Sequence, residues 1–146
     1  MQVLQIVEPG RAEVIELPIP EPETGQALIK VRGVTTCPHW DMHIMAGEPM
    51  FPGGTIEYPY TPGQPGHEAT GDVVAVGAEA TGVKVGDRVS LWRDQGPTRH
   101  GFYAQYSIGD AANLIQVPDE LSDPATAPLE LAMCVHVSID HLLSNS

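Results

Sequence analysis

The chain has 146 residues, of which 42% are hydrophobic and 18% are charged, a composition typical of a globular domain rather than a disordered chain. Its 7 basic and 19 acidic residues give a formal net charge of −12. This charge argues against a nucleic-acid or anionic-membrane surface, because phosphate binding needs a basic footprint. No apolar run reaches the roughly 18 residues of a membrane span, and the N-terminus lacks the segments of a secretory signal. We therefore expect a cytoplasmic protein.

Glycine, proline and cysteine restrict the fold further. The 15 glycines and 14 prolines favour short strands joined by turns over long helices. The two cysteines, Cys37 and Cys134, are too few for a disulfide scaffold and are interpreted as free thiols or metal ligands.

Short apolar or alternating segments predict a mainly β body. The predicted strands are Gln2–Val7, Ala12–Leu17, Ala27–Val34, Ala69–Val76, Asp87–Trp92, Gly101–Ile108 and Leu114–Val117. Between them, Thr35–Glu48 is predicted to include a helical turn and Pro49–Pro65 to form a long surface loop. A helix over Ala125–Leu143, with a cap at Ser122 or Asp123, completes the prediction.

The pattern richest in chemistry is Gly66-His67-Glu68. It stands at the mouth of a predicted buried strand, directly after a loop rich in proline and glycine. Such a position projects side chains into a cleft from a rigid element, and the neighbouring glycines permit a close backbone approach.

Five segments occur in a characteristic order: KVRGV followed by Cys37, then GHEATGDVVAVG, VKVGDRV, GFYAQY and IQVPDELS. This order resembles the catalytic domain of the medium-chain, zinc-dependent alcohol dehydrogenases. The resemblance runs from Met1 to about Glu130, nearly the whole chain. It implies a mainly β, GroES-like, partly open β-barrel with a C-terminal helix, forming one domain over residues 1–146.

The resemblance also implies a ligand set for one catalytic Zn²⁺. Matched residue by residue, the ligands are Cys37, His67 and Glu130, with Glu68 ligating or tuning the metal. Cys134, one helical turn after Glu130, is the alternative third ligand. Thiolate, imidazole and carboxylate suit zinc, and an open position is typical of a catalytic site. The metal of such a site polarises the alcohol oxygen as hydride departs.

The ligand loop departs from the family pattern. Its sequence is Cys37-Pro38-His39-Trp40-Asp41, so Asp41 follows the cysteine by four residues rather than by three. Aligning on Asp41 places Pro38 at the ligand position, and Cys37 then reaches the metal only if the loop bulges by one residue. His39 or Trp40 replaces the usual relay hydroxyl. His39 is the predicted proton relay, and Asp41 the residue that orients the site.

Two clusters of side chains have alternative interpretations. Apolar residues near the ligand loop anchor that loop or, as the second alternative, line a substrate pocket: Trp40, Met42, Met45, Met50 and Phe51. A small basic cluster is a solvated loop or a contact for a cofactor phosphate: Arg93, Arg99 and His100. The four-cysteine lobe that holds structural zinc in many relatives is missing between Trp92 and Phe102, so we expect no structural zinc.

No Gly-x-Gly-x-x-Gly turn follows a predicted strand, so we expect NAD or NADP to bind through a domain not present in this chain. The first hypothesis is the catalytic domain of an NAD(P)-dependent alcohol or polyol dehydrogenase. It would oxidise a small-molecule alcohol to a carbonyl, lack efficient turnover alone, and form a homo-oligomer in its full-length form. The alternatives are a metal-free, quinone-reductase-like member of the superfamily and a non-catalytic scaffold or interaction domain.

Overall fold

Seven short strands and three helices follow one another in residues 1–93 and 96–144, the part of the chain that the computed structural model describes. They are β1 (Gln2–Glu8), β2 (Arg11–Glu16), β3 (Gln26–Thr35), α1 (Pro38–Ala46), β4 (Glu68–Val76), β5 (Arg88–Leu91), β6 (Tyr106–Asp110), β7 (Leu114–Gln116), α2 (Asp123–Thr126) and α3 (Leu129–Ser144). A 3-10 turn over Ala111–Asn113 joins β6 to β7.

The strands form a five-stranded antiparallel sheet and a hairpin. The order in the sheet is β6-β3-β4-β5-β7, and β1 pairs with β2 in the hairpin. An isolated bridge between Val3 and Ala104 joins the hairpin to the rest of the body, together with further backbone hydrogen bonds from β1, such as that from the Leu4 N–H to the Tyr103 carbonyl oxygen over 2.8 Å. The architecture is therefore mainly β and open, with a C-terminal helix, which confirms the predicted fold class.

The core lies on the inner face of the large sheet, where apolar side chains alternate along the strands as the period of two predicts. Its members include Ala27, Ile29, Ala69, Val73, Val89, Leu91 and Phe102. Strands β3 and β4 approach closely at Gly71, where a Cβ atom would lie 2.4 Å from the Lys30 carbonyl oxygen. A glycine is needed there because any side chain would clash with the neighbouring backbone.

The register between β3 and β4 positions the functional site. One residue of β3, Arg32, is extra in the ladder, since Val31 pairs with Gly71 and Gly33 with Thr70. An earlier bulge leaves Val74 of β4 extra, since Leu28 pairs with Ala75 and Ile29 with Val73. Each bulge shifts the later pairs by one residue, and the two shifts offset each other. The ladder then ends with Thr35 opposite Glu68.

Three predicted elements need correction. The ligand loop contains a full helix, α1, rather than one turn, because Pro38 starts it and the left-handed Gly47 ends it. The strand predicted over Gly101–Ile108 begins only at Tyr106 and runs to Asp110. The last helix is interrupted: α2 ends at Thr126 and α3 begins at Leu129, on either side of Pro128, which lacks the N–H of a helical hydrogen bond.

Helix α3 leaves large apolar side chains exposed, among them Leu131, Val135, Ile139 and Leu142. Within residues 1–93 and 96–144, no helix is both long enough and apolar enough to cross a membrane.

Candidate metal centre

The end of the β3–β4 ladder brings three predicted ligands together. Cys37 follows the last residue of β3 by two positions, and His67 directly precedes β4. Because Thr35 pairs with Glu68, these two chain segments leave the sheet side by side. One donor atom from each of Cys37, His67 and Glu68 lies within 4.8 Å of the other two.

His67 has one ring nitrogen engaged and the other available. Its Nδ1 lies 2.6 Å from the Pro65 carbonyl oxygen, to which the protonated nitrogen donates. In the neutral ring the lone pair is then on Nε2, which lies 3.9 Å from Oε1 of Glu68. A backbone carbonyl that fixes the tautomer in this way is typical of histidines that bind metals.

Glu68 is a buried carboxylate with only 2% of its surface exposed. Thr35 donates its hydroxyl hydrogen bond to Oε2 over 2.6 Å, and Oε1 lies on the side of His67. Burial of a charged group is costly unless the group is paired. A cation held between Cys37, His67 and Glu68 would supply the opposite charge that this carboxylate lacks.

The donor set fits zinc on chemical grounds. Zn²⁺ is bound in proteins by thiolate, imidazole and carboxylate at about 2.0 to 2.3 Å, usually in a tetrahedral arrangement. Three such groups that already converge within 4.8 Å could close around the ion with small side-chain rotations. The same three groups leave room for one further ligand.

Glu130 and Cys134, both on α3, line the same cleft as the group of three. The Cys134 thiol donates a hydrogen bond to Oε1 of Glu130 over 3.3 Å. This hydrogen bond, together with burial, raises the pKa of the Cys134 thiol. Among the described residues, neither side chain belongs to the close group of three. The two alternatives for the third ligand therefore lie side by side in the lining of the cleft, outside the close group of three.

The cleft itself has a volume of about 260 Å³ and a partly apolar wall formed by Trp40, Met50 and Leu131. Trp40 and Met50 thus follow the second alternative, the lining of a pocket. Met42 and Phe51 are 69% and 68% exposed, which does not agree with a role as core anchors.

His39 lies at the rim of the cleft and is exposed. Its ring meets the ring of His43 edge to face, with centroids 4.7 Å apart. A hydrogen bond between Nδ1 of His43 and the Glu48 carbonyl oxygen, over 2.9 Å, also positions the His43 ring. The predicted relay residue therefore stands between the cleft and solvent.

Asp41, the predicted orienting residue, is held by a tyrosine. The Tyr103 hydroxyl donates to Oδ2 of Asp41 over 2.5 Å, whereas Oδ1 is buried and has no hydrogen-bond partner among the described residues. Burial raises the pKa of the Asp41 carboxyl, and the bond from Tyr103 acts in the opposite direction. Burial and the neighbouring Asp41 carboxylate both raise the pKa of Tyr103, so its hydroxyl stays a donor.

Sequence reasoning missed Thr35 and Tyr103. Thr35 is the last residue of an ordinary strand, and only the cross-strand register gives it a role. Tyr103 belongs to the GFYAQY segment, which was predicted to be a strand. No local pattern in that segment indicates a partner for the Tyr103 hydroxyl. In the basic cluster, Arg99 pairs with Asp110 over 2.8 Å. This ion pair favours a role of Arg99 within the fold over a contact with a cofactor phosphate.

Known families and proteins are similar to this chain over most of its length. The alcohol dehydrogenase GroES-like domain family matches residues 23–119, more than half of the chain. An alcohol dehydrogenase of Rhizobium meliloti (strain 1021) is 30% identical over 164 residues, covering 95% of this chain and 45% of the relative. An L-threonine 3-dehydrogenase of Photorhabdus laumondii subsp. laumondii is 35% identical over 133 residues, covering 75% of this chain and 38% of the relative.

A solved structure is similar over the same region. The crystal structure of 2R,3R-butanediol dehydrogenase from Bacillus subtilis superposes with a TM-score of 0.74 at 25% identity, covering 87% of this chain and 43% of that one. The chain thus spans less than half the length of each of these relatives. The chain belongs to the alcohol dehydrogenase GroES-like domain family.

Proposed function

We propose that this chain is the zinc- and substrate-binding domain of an NAD(P)-dependent alcohol or polyol dehydrogenase. The observation that carries the proposal is the convergence of Cys37, His67 and Glu68 within 4.8 Å at the wall of a cleft of about 260 Å³. The reaction would oxidise an alcohol to a carbonyl, with the hydride passing to the nicotinamide ring.

Within this proposal, the side chains at the end of the β3–β4 ladder and on α3 bind the metal. The Cys37 thiolate, Nε2 of His67 and one third group, either Glu68 or a residue of α3 (Glu130 or Cys134), would hold the metal, which leaves a position for the alcohol oxygen. When bound, zinc supplies the Lewis acidity that makes an alcohol oxygen easier to deprotonate.

The other residues of the cleft would orient the substrate and transfer its proton. Trp40, Met50 and Leu131 form an apolar wall that would orient the carbon skeleton of the alcohol and exclude water. His39, exposed at the rim, would accept the proton of the alcohol and pass it to solvent.

Helix α3 supports a second part of the proposal, that a nucleotide-binding domain covers it and supplies NAD or NADP. Leu131, Val135 and Leu142 are 50%, 52% and 71% exposed. A helix that is apolar on its outer faces is usually buried against another part of a protein. The curated relatives, which are more than twice as long as the matched region, have sufficient additional chain for such a domain.

The test is the zinc content of the chain, purified in metal-free buffer, reconstituted with zinc and measured by elemental mass spectrometry. We expect about one zinc per chain in the parent and little in His67→Ala. The matched control is His43→Ala, which removes a histidine of α1 outside the ligand group and should keep the metal.

A parent chain that takes up no zinc would overturn the ligand assignment. The metal-free, reductase-like alternative would then become the leading hypothesis. Equal zinc in the parent and in His67→Ala would likewise contradict the site, because the metal would have to be held elsewhere.

A further inference from the structure

Tyr103 is anchored in the barrel by its backbone on both sides. Its N–H donates to the Gly63 carbonyl oxygen over 3.0 Å, and its own carbonyl oxygen accepts from the Leu4 N–H over 2.8 Å. These two bonds tie the residue to the loop before β4 and to strand β1. The ring therefore projects from a backbone that has little freedom to move.

One side of Tyr103 packs against the residue that precedes His67. A Cβ atom on Gly66 would lie 2.7 Å from the Tyr103 backbone nitrogen and 3.0 Å from its ring carbon Cγ. Contacts this short leave no room for a side chain, so the glycine allows the tyrosine to lie directly on the backbone that carries His67.

The hydroxyl of Tyr103 reaches the helix that carries the other ligand. It donates to Oδ2 of Asp41 over 2.5 Å, and Asp41 lies in the first turn of α1. The Asp41 N–H in turn donates to the carbonyl oxygen of Cys37 over 2.9 Å. Because Oδ1 of Asp41 has no partner within the described ranges, Tyr103 is the side-chain donor that restrains this carboxylate.

We infer that Tyr103 is a positioning residue that holds Cys37 and His67 in register with each other and thereby sets the metal affinity of the site. Its backbone and ring lie against the His67 segment, and its hydroxyl holds the first turn of the Cys37 helix. The inference rests on the proposed function, since it concerns the same metal site. A hydrogen bond one layer behind the ligands typically changes metal affinity by about 10- to 100-fold.

A hydroxyl that merely stabilises α1 would behave differently, and the chain contains one for comparison. The Tyr58 hydroxyl donates to the carbonyl oxygen of Ile44, on the same helix but away from the ligand end. Tyr58→Phe therefore removes a bond to α1 without touching Asp41, and it serves as the matched control for Tyr103→Phe.

The experiment measures the zinc dissociation constant of the chain by competition with a chromophoric chelator. We expect about tenfold weaker binding in Tyr103→Phe and a change of less than about twofold in Tyr58→Phe. Cobalt substitution supplies a spectroscopic readout. The visible bands of bound Co²⁺ should shift in Tyr103→Phe and stay in place in Tyr58→Phe.

Unchanged zinc affinity in Tyr103→Phe, or equal losses in both variants, would overturn the inference. If Tyr103→Phe does not fold, Asp41→Asn weakens the same bond from its acceptor side and should reduce the affinity in the same direction. Thermal melting of each metal-free variant separates unfolding from an effect on the site.

A parent chain that binds neither zinc nor cobalt would instead contradict the proposed function. The alkylation rate of Cys37, followed separately from that of Cys134 by peptide mass spectrometry, then decides the inference in the metal-free chain. A faster rate in Tyr103→Phe but not in Tyr58→Phe supports a positioning role. Equal rates in the parent and both variants overturn it.

Discussion

Glu68 shows how one residue carries both a structural cost and a function. Its carboxylate is buried, accepts a hydrogen bond from Thr35 and lies 3.9 Å from the ring nitrogen of His67. A buried charge would normally be replaced by an apolar group unless its partners compensate for the lost hydration. Under the proposed function this carboxylate binds or tunes the metal, and in the metal-free chain the hydrogen bond from Thr35 compensates for part of the cost of its burial.

Replacing Thr35 with valine tests this compensation. Thr35→Val preserves the shape of the side chain but removes the donor to a buried carboxylate, so we expect a loss of about 1 to 3 kcal/mol in the free energy of unfolding. Urea denaturation of the metal-free chain measures it. Thr36→Val, at the exposed neighbouring position, should change the stability by less than about 0.5 kcal/mol. Equal losses in the two variants would contradict a specific role for the Thr35 hydroxyl.

The residues of the site differ in how far the sequence indicates them. Cys37, His67 and Glu68 were predicted because they stand in segments that resemble a known family. Thr35 and Tyr103 were not, since their partners lie 33 and 62 positions away along the chain. A hydroxyl donates only where the fold places an acceptor, and no local pattern encodes that placement.

At the scale of elements, Arg88 in β5 joins the sheet to the helices that follow it. Its side chain is buried and donates to the carbonyl oxygens of Pro118 and Leu121 and, over 2.7 Å, to the Asp123 carboxylate at the start of α2. These bonds engage both terminal nitrogens of a guanidinium that burial alone would destabilise, whereas its Nε is buried and has no hydrogen-bond partner among the described residues. They also hold the segment that leads to α3 and hence to Glu130.

Replacing Arg88 with methionine should cost about 3 kcal/mol of unfolding free energy, because the change leaves buried acceptors and Asp123 without their partner. Chemical denaturation followed by circular dichroism measures the loss. Lys84→Met removes the exposed partner of Asp87 and should cost less than about 1 kcal/mol. If the two variants are equally stable, Arg88 is not the connection that we describe.

Strands were easier to predict than helices in this chain. Alternation of apolar and polar residues locates β3, and a strongly apolar run locates β4. Helix α1 has no comparable signal, since Ile44 is its one buried residue, and its ends depend on Pro38 and Gly47. The break between α2 and α3 follows from Pro128, whereas a continuous helix through this proline was predicted from the sequence.

At the scale of the whole molecule, the net charge of −12 means that each basic side chain has many acidic groups with which it can pair. Arg99 donates to the Asp110 carboxylate through both terminal guanidinium nitrogens, Nη1 and Nη2. The pair joins the loop before residue 101 to the end of β6. The ion pair lowers the pKa of the Asp110 carboxyl below its ordinary value. Both side chains are about one third exposed, so water weakens the pair.

The pH dependence of Asp110→Asn tests this pair. Since the pKa of Asp110 is lower in the folded than in the unfolded chain, its contribution is fully present above the ordinary value of 3.8 and is lost as the pH falls through the lowered value. We expect the parent to exceed the variant by less than about 1 kcal/mol at neutral pH, with the difference disappearing in acid. Denaturation at a series of pH values measures it.

Asp119→Asn, an exposed carboxylate, is the control for the general effect of one less negative charge. A parent-minus-variant difference for Asp110→Asn that is the same at neutral and acid pH would contradict a charged pair. The same would follow if both variants gave one common pH profile.

The sequence by itself determined the class of fold, the approximate positions of most strands along the chain and the chemical types at the candidate metal centre, because alternation, turn residues and short motifs are local properties of a chain. The tertiary structure decided which atoms meet. Two offsetting bulges, at Val74 of β4 and at Arg32 of β3, set the β3–β4 register, and this register places Thr35 on Glu68 and Cys37 beside His67. Tyr103 reaches Asp41 only through the packing of a distant segment on Gly66. Such contacts depend on register and close packing summed over the whole sheet, which no single segment contains.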